Sequence, residues 1–156
     1  MPRAAFQSCN HQVAFLFDTD AISEVLRRRP LAGYLRWLET VPRADQFTSA
    51  VVVGELFKGA SRLAETSRHI ENIERRLLPA VTVLPYDTMV ARVYGELDGM
   101  LFRKGQPLPD ADLQIAATAV AHGLELVTGN IRHFQRIPRL QLSRVLADAR
   151  LRPRSG

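Results

Sequence analysis

The sequence predicts a three-layer α/β/α sandwich built on a parallel sheet of about five strands. Three observations carry that prediction. Short apolar runs alternate with longer segments whose apolar residues recur at helical spacing, the pattern of strands covered by helices. The length, 156 residues, is that of one domain. The mix of 46% hydrophobic and 24% charged residues is that of a globular chain able to bury a core without disulfides or structural metal.

The elements follow in order. Val13 to Phe17 is an apolar run that reads as a buried strand ending at Asp18. A helix is expected from Ala21 to Arg28 with Asp20 as its N-cap, because a carboxylate there can accept from orphan amides. Pro30 opens a second helix, in which Leu31, Tyr34, Leu35 and Leu38 recur on one face. Gln46 to Thr48 is a short strand, and Ser49 caps the next helix, which carries Val51, Glu55 and Leu56. One long charged helix is expected from Arg62 to Leu78, with Leu63, Ile70, Ile73 and Leu77 as its stripe and Pro79 as its end. Val81 to Leu84 is the third strand. Asp87 or Thr88 then starts a helix bearing Val90, Val93, Leu97 and Leu101, which Gly105 closes. After a loop from Gln106 to Pro109, Asp110 or Asp112 opens a helix through Ile115, Ala119 and Val120, capped by Gly123. Leu124 to Val127 is the fourth strand and Leu140 to Leu142 a fifth, at an edge. Residues 1–12 read as an N-terminal extension, 13–147 as one domain and 148–156 as a basic, mobile tail.

Composition excludes several classes. No apolar run is long enough to span a bilayer, and the polar start does not resemble a secretory signal, so a cytoplasmic protein is expected. A single cysteine, Cys9, allows neither an internal disulfide nor a cysteine zinc cluster. The net charge is +5, and of 21 basic residues only Lys58 and Lys104 are lysines. Arginine suits bidentate phosphate recognition, which makes a polyanion a fair partner.

Ligands of open parallel sheets bind beyond the carboxyl ends of the strands. Asp18 follows the first strand there, and Thr128 and Asn130 follow the fourth. Asp112 lies in the first turn of the helix feeding that fourth strand, with Asp110 two residues earlier; Glu55 lies on the helix after the second. Taken singly, each has an ordinary reading as a cap, a turn or a solvated acid. His133 and Phe134 read as packing residues of a short helix. Ser23 and Ser49 have no histidine and acid at telling spacing. Taken together, three carboxylates within about 4 Å would repel by several kcal/mol even at an effective dielectric near 20. Raised pKa values or a bound cation would relieve that. All-oxygen ligands select Mg²⁺, or Mn²⁺, rather than zinc.

Four segments now carry a resemblance. They are Phe15-Leu16-Phe17-Asp18-Thr19-Asp20-Ala21-Ile22-Ser23, Ser49 to Gly59 around Glu55, Pro109 to Ala119 around Asp112, and Leu126-Val127-Thr128-Gly129-Asn130-Ile131-Arg132-His133-Phe134. In this order they resemble PIN-domain ribonucleases, specifically the VapC toxins of type II toxin–antitoxin pairs, over Val13 to Leu142. The resemblance implies a PIN-like five-stranded parallel sheet. Asp18 and Asp112 would be the main Mg²⁺ ligands and Glu55 would complete the triad, with Asn130 and Thr128 positioning substrate. It also implies an RNA substrate, a homodimer or hetero-oligomer, and a VapB-type antitoxin seated in a groove between residues 21–29 and 51–70. Three features depart from the family pattern. Asp20 stands where Asn or Ser is common, Gly129 where a basic residue is common, and the first acid comes late. Asp20 and Asp110 remain extra acids without an assigned role.

The expected function is that of a Mg²⁺-dependent endoribonuclease acting through a metal-activated water. Two rivals stand beside it. A haloacid-dehalogenase-like phosphatase would use Asp18 as nucleophile and Asp20 as acid. A non-catalytic module would bind RNA or a partner and need no metal.

Overall fold

The computed structural model describes residues 12–152. Five strands form one sheet: β1 (Phe15–Phe17), β2 (Gln46–Ser49), β3 (Thr82–Leu84), β4 (Glu125–Val127) and β5 (Gln141–Ser143). Every pairing is parallel, and the spatial order is β3-β2-β1-β4-β5. The expected α/β fold is therefore present, with β5 at an edge. The chain winds outward from β1 in one direction, then returns to lay β4 on its other side. That reversal opens a crevice between the carboxyl ends of β1 and β4, where ligands of such sheets bind.

Eight α-helices complete the described residues: α1 (Thr19–Leu26), α2 (Ala32–Leu38), α3 (Ala50–Ser61), α4 (Thr66–Asn72), α5 (Thr88–Arg103), α6 (Asp110–His122), α7 (Ile131–Phe134) and α8 (Val145–Leu151). Caps chosen by side-chain chemistry set several boundaries. Ser49 accepts from the Val52 amide and Asp87 from the Val90 amide, as their positions predict. Gly123 ends α6 in the left-handed conformation, at φ 63°, which glycine adopts without steric cost. The first cap differs from expectation. Asp18, not Asp20, caps α1, because the helix starts at Thr19 and the Asp18 Oδ1 reaches the Ala21 amide at 2.7 Å.

The expected helix over 62–78 is broken. Arg62 ends α3, and the chain restarts at Thr66 as α4. The Thr66 hydroxyl donates to the Leu63 carbonyl at 2.7 Å, a local bond that competes with helix continuation. Leu63 is consequently exposed instead of joining an apolar stripe. Beyond α4 the backbone widens into a π turn at Ile73–Leu77, which buries both end residues, and then tightens into a 3-10 turn at Leu78–Ala80. Pro79 lacks the amide hydrogen that would carry a helix further. The C-terminal expectation is also corrected. Residues 148–151 belong to α8, and Leu146 of that helix is fully buried, so a mobile tail does not begin at 148. Residues 1–11 of the expected extension lie outside the described residues.

The core sits on both sides of β1 and β4. Leu16, Leu126 and Val127 are fully buried, as are Val52 of α3, Leu97 of α5 and Leu113 of α6. Trp37 of α2 stacks on Tyr34 and meets Phe15 edge-on at 5.1 Å. This packing anchors the strand that delivers Asp18.

Candidate active site

Register places the site. Phe17 pairs with Val127, so Asp18 and Thr128 emerge side by side where β1 and β4 end. The Asp18 amide still donates to the Val127 carbonyl at 3.2 Å. Asp18 is 4% exposed. Burial, working against the charged form, raises its pKa from 3.8 to about 7. Hydrogen bonds from Thr128 and the Ala21 amide pull the other way, and the nearby charges of Asp20 and Asp112 push it further up. A carboxylate so placed gains charge stabilisation from any cation that reaches it.

Thr128 is fully buried between two partners. Its hydroxyl serves Asp18 and accepts the Asn130 amide at 3.0 Å, which matches the one donor and two lone pairs of a threonine. Asn130 itself is exposed at the N-terminus of α7, and its side chain makes no capping bond. Asp112 stands in the first turn of α6, near enough to act on Asp18. Its Oδ2 lies 2.8 Å from His133 Nε2, which carries the hydrogen of this bond when the carboxylate is ionised. Phe134 is buried as expected, whereas His133 reaches the acid group instead of only packing.

Asp110 points elsewhere. It is exposed, and its Oδ1 accepts from the Tyr94 hydroxyl at 3.0 Å, towards α5. Glu55 is half-buried on α3 and takes a short hydrogen bond from the Thr19 hydroxyl at the start of α1. That partner resolves the cost of placing an acid on an apolar helix. Asp20 is occupied as well. Arg150 of α8 grips both its oxygens at 2.7 and 2.8 Å, and the Gly129 amide donates to Oδ2 at 3.1 Å.

Asp18, Asp20 and Asp112 thus share one crevice, with Glu55 approaching from α3 through Thr19. Among the described residues, no three acids, histidines or cysteines close into a ready metal cage. The donor set still fits a hard divalent cation. Mg²⁺ is commonly held by one or two carboxylates, with waters and substrate oxygens completing its shell. Asp18 supplies a buried carboxylate in need of positive charge, and Asp112 supplies a second with its free oxygen. The phosphatase reading fares badly here, because the acid it requires is locked in an ion pair. An apolar groove lies beside the site. Phe17, Ala21, Ile22, Val25 and Leu26 form one wall, as expected, but Arg76, Leu77, Ala80 and Val81 form the other in place of α3.

Sequence reasoning missed Thr19, His133 and Arg150. Thr19 had a signal, since it follows Asp18 directly. His133 and Arg150 had none, because their partners lie 21 and 130 residues away.

The comparisons agree with this geometry. The PIN domain family matches residues 15–140. The chain is 34% identical over 124 residues to Toxin FitB of Neisseria gonorrhoeae, covering 76% of this chain and 89% of that one. It is 30% identical over 128 residues to the tRNA(fMet)-specific endonuclease VapC of Salmonella typhimurium, covering 82% and 95%. Its fold superposes on a chain of the DNA-bound VapBC structure from Salmonella typhimurium with a TM-score of 0.77 and 29% identity, covering 84% and 97%. With the sheet, the acid crevice and these relatives in agreement, the chain belongs to the PIN-domain family.

Proposed function

We propose that this protein is a divalent-metal-dependent endoribonuclease and the toxin of a type II toxin–antitoxin pair. One observation carries the reading. A buried acid, Asp18, ends the central strand at the sheet's reversal point, with Asp112 facing it and the carboxylate pKa raised by burial. Relatives named ribonuclease VapC support the reaction class. Solved VapBC and FitAB complexes support an antitoxin partner, and the apolar groove along α1 is a fitting seat for it.

Asp18 and Asp112 would hold Mg²⁺, with Mn²⁺ as a substitute. When bound, the cation supplies Lewis-acid stabilisation of charge on a phosphodiester and helps activate water. The remaining work falls to the protein. Thr128 and the Ala21 amide fix the Asp18 carboxylate. His133 fixes the Asp112 rotamer. Glu55, oriented by Thr19, adds negative charge where water is to be deprotonated, and the Asn130 amide is exposed for a phosphate or water. The bond broken is that to the 3′ oxygen, leaving a 5′-phosphate and a 3′-hydroxyl. Arginine, which makes up 19 of the 21 basic residues, would supply contacts to the RNA backbone. No helix among the described residues is long and apolar enough to cross a membrane, and the reading places the protein in the cytoplasm with its RNA.

The test is cleavage of structured RNA by antitoxin-free protein. Products with 5′-phosphates are expected in Mg²⁺, and none with EDTA or after Asp112→Asn. RNA binding without cleavage in Mg²⁺ or Mn²⁺ would instead favour the binding-module reading. Cleavage surviving both EDTA and the substitution would remove the acid assignment.

A further inference from the structure

We propose that Arg150, on α8, is a positioning residue of the active site, holding Asp20 out of the metal's coordination shell and pinning the Thr128–Asn130 loop. The inference rests on the metal-site reading above.

Four observations converge. First, the Arg150 guanidinium meets both Asp20 oxygens in a two-pronged pair, at 2.7 and 2.8 Å. This geometry directs the carboxylate as well as neutralising it. Second, the Gly129 amide donates to the same Asp20 oxygen that Arg150 Nη1 holds. Asp20 therefore ties together the start of α1, the loop after β4, and α8. Third, the pair fills the space over Gly129. A Cβ built there would overlap Arg150 Nη1 and Asp20 Oδ2, although Gly129 has no positive φ. Glycine is needed at 129 because the guanidinium occupies the room a side chain would take. Fourth, Glu24 lies one turn beyond Asp20 and is fully buried, and its Oε2 has no hydrogen bond. That oxygen sits 3.6 Å from Arg150 Nη2 and 3.3 Å from Arg27 Nη1. One guanidinium thus faces two acids of α1, spaced to point the same way.

The electrostatic consequence is directional. Asp20 is close enough to act on Asp18. With Arg150 in place, the guanidinium offsets part of the Asp20 charge that Asp18 and Asp112 would otherwise feel. Without Arg150, Asp20 is an uncompensated carboxylate held only by the Gly129 amide, and it can turn towards the cation. The site then gains a negative charge and a surplus ligand, while the loop carrying Thr128 loses an anchor. Tighter metal binding with slower turnover is the expected combination. A purely structural loss would weaken both.

The experiment uses full-length, antitoxin-free protein and Mn²⁺ as probe, measured by titration calorimetry beside kcat and KM for RNA cleavage. Arg150→Ala is expected to bind Mn²⁺ about tenfold more tightly, as one extra unpaired carboxylate near a divalent ion implies, and to lower kcat. Adding Asp20→Asn to that variant should return Mn²⁺ affinity to the wild-type level. Arg150→Lys keeps the charge without the two-pronged geometry, so its affinity should stay near wild type while kcat falls. Unchanged or weaker Mn²⁺ binding by a folded Arg150→Ala protein would overturn the inference. If Arg150→Ala does not fold, Arg150→Gln decides the matter, because it keeps a long polar side chain but removes the charge, and it must tighten Mn²⁺ binding in the same way. Wild-type protein that binds no Mn²⁺ would instead sink the metal-site reading, and this inference with it.

Discussion

The Asp18 carboxylate caps α1 while burial works against its charge. Its pKa of about 7, against an ordinary 3.8, has a definite consequence for stability without metal. Between those values the unfolded chain is ionised and the folded chain still holds the proton. Folding then takes up a proton, so stability falls as pH rises from about 4 to about 7 and levels off above that. In EDTA, urea denaturation should lose at most about 4 kcal/mol across this window. Asp18→Asn keeps a competent cap and removes the titration, so its profile should be flatter. Equal slopes in the two proteins would dissociate Asp18 from the effect. A saturating divalent cation should restore stability to the wild type at pH 8, because it binds the folded state preferentially. The sequence marked Asp18, Glu55 and Asp112 as candidates through their joint placement beside the strand ends and through the family resemblance, since each taken singly has an ordinary reading. Their partners were not legible. Thr19, His133 and Arg150 matter through contacts that periodicity does not encode.

At the scale of elements, caps and periodicity explain most boundaries. Val90, Leu97 and Leu101 of α5 are buried as their spacing requires, and α5 packs along α6. Gly123 closes α6 with a left-handed turn that delivers the chain straight into β4. Gly123→Ala should therefore destabilise the protein by about 1 kcal/mol, read as a lower midpoint in urea without a change in slope. Loss of more than a few kcal/mol would mean that the turn also supports tertiary packing. The segment from Arg62 to Ala80 defeated the same reasoning. Its composition favours helix throughout, but the Thr66 hydroxyl, the buried pair Ile73 and Leu77, and Pro79 each bend the backbone differently. The result forms the second wall of the apolar groove, through Arg76, Leu77, Ala80 and Val81.

For the whole molecule, the net charge of +5 sits on a fold whose one identified crevice is acidic. In the proposed reading, the acids gathered at the strand ends would bind a cation, and surface arginines would attract the RNA backbone. Affinity of the Asp112→Asn variant, which the proposed site predicts to be inactive, for single-stranded RNA should fall with salt, by about 0.7 log units per log of salt for each phosphate contacted. A slope near zero would take the arginines out of substrate binding. By itself, the sequence determined the parallel α/β class, the strands and their approximate ends, and which acids follow those strands. These are local matters, decided by apolar runs, helical spacing and caps within a few residues. The tertiary structure alone decided that Asp18 rather than Asp20 caps α1, that His133 reaches Asp112, and that α8 returns Arg150 to Asp20. Each of those outcomes depends on which distant segment comes to lie opposite a carboxylate. A charge with several partners within reach is settled only by packing.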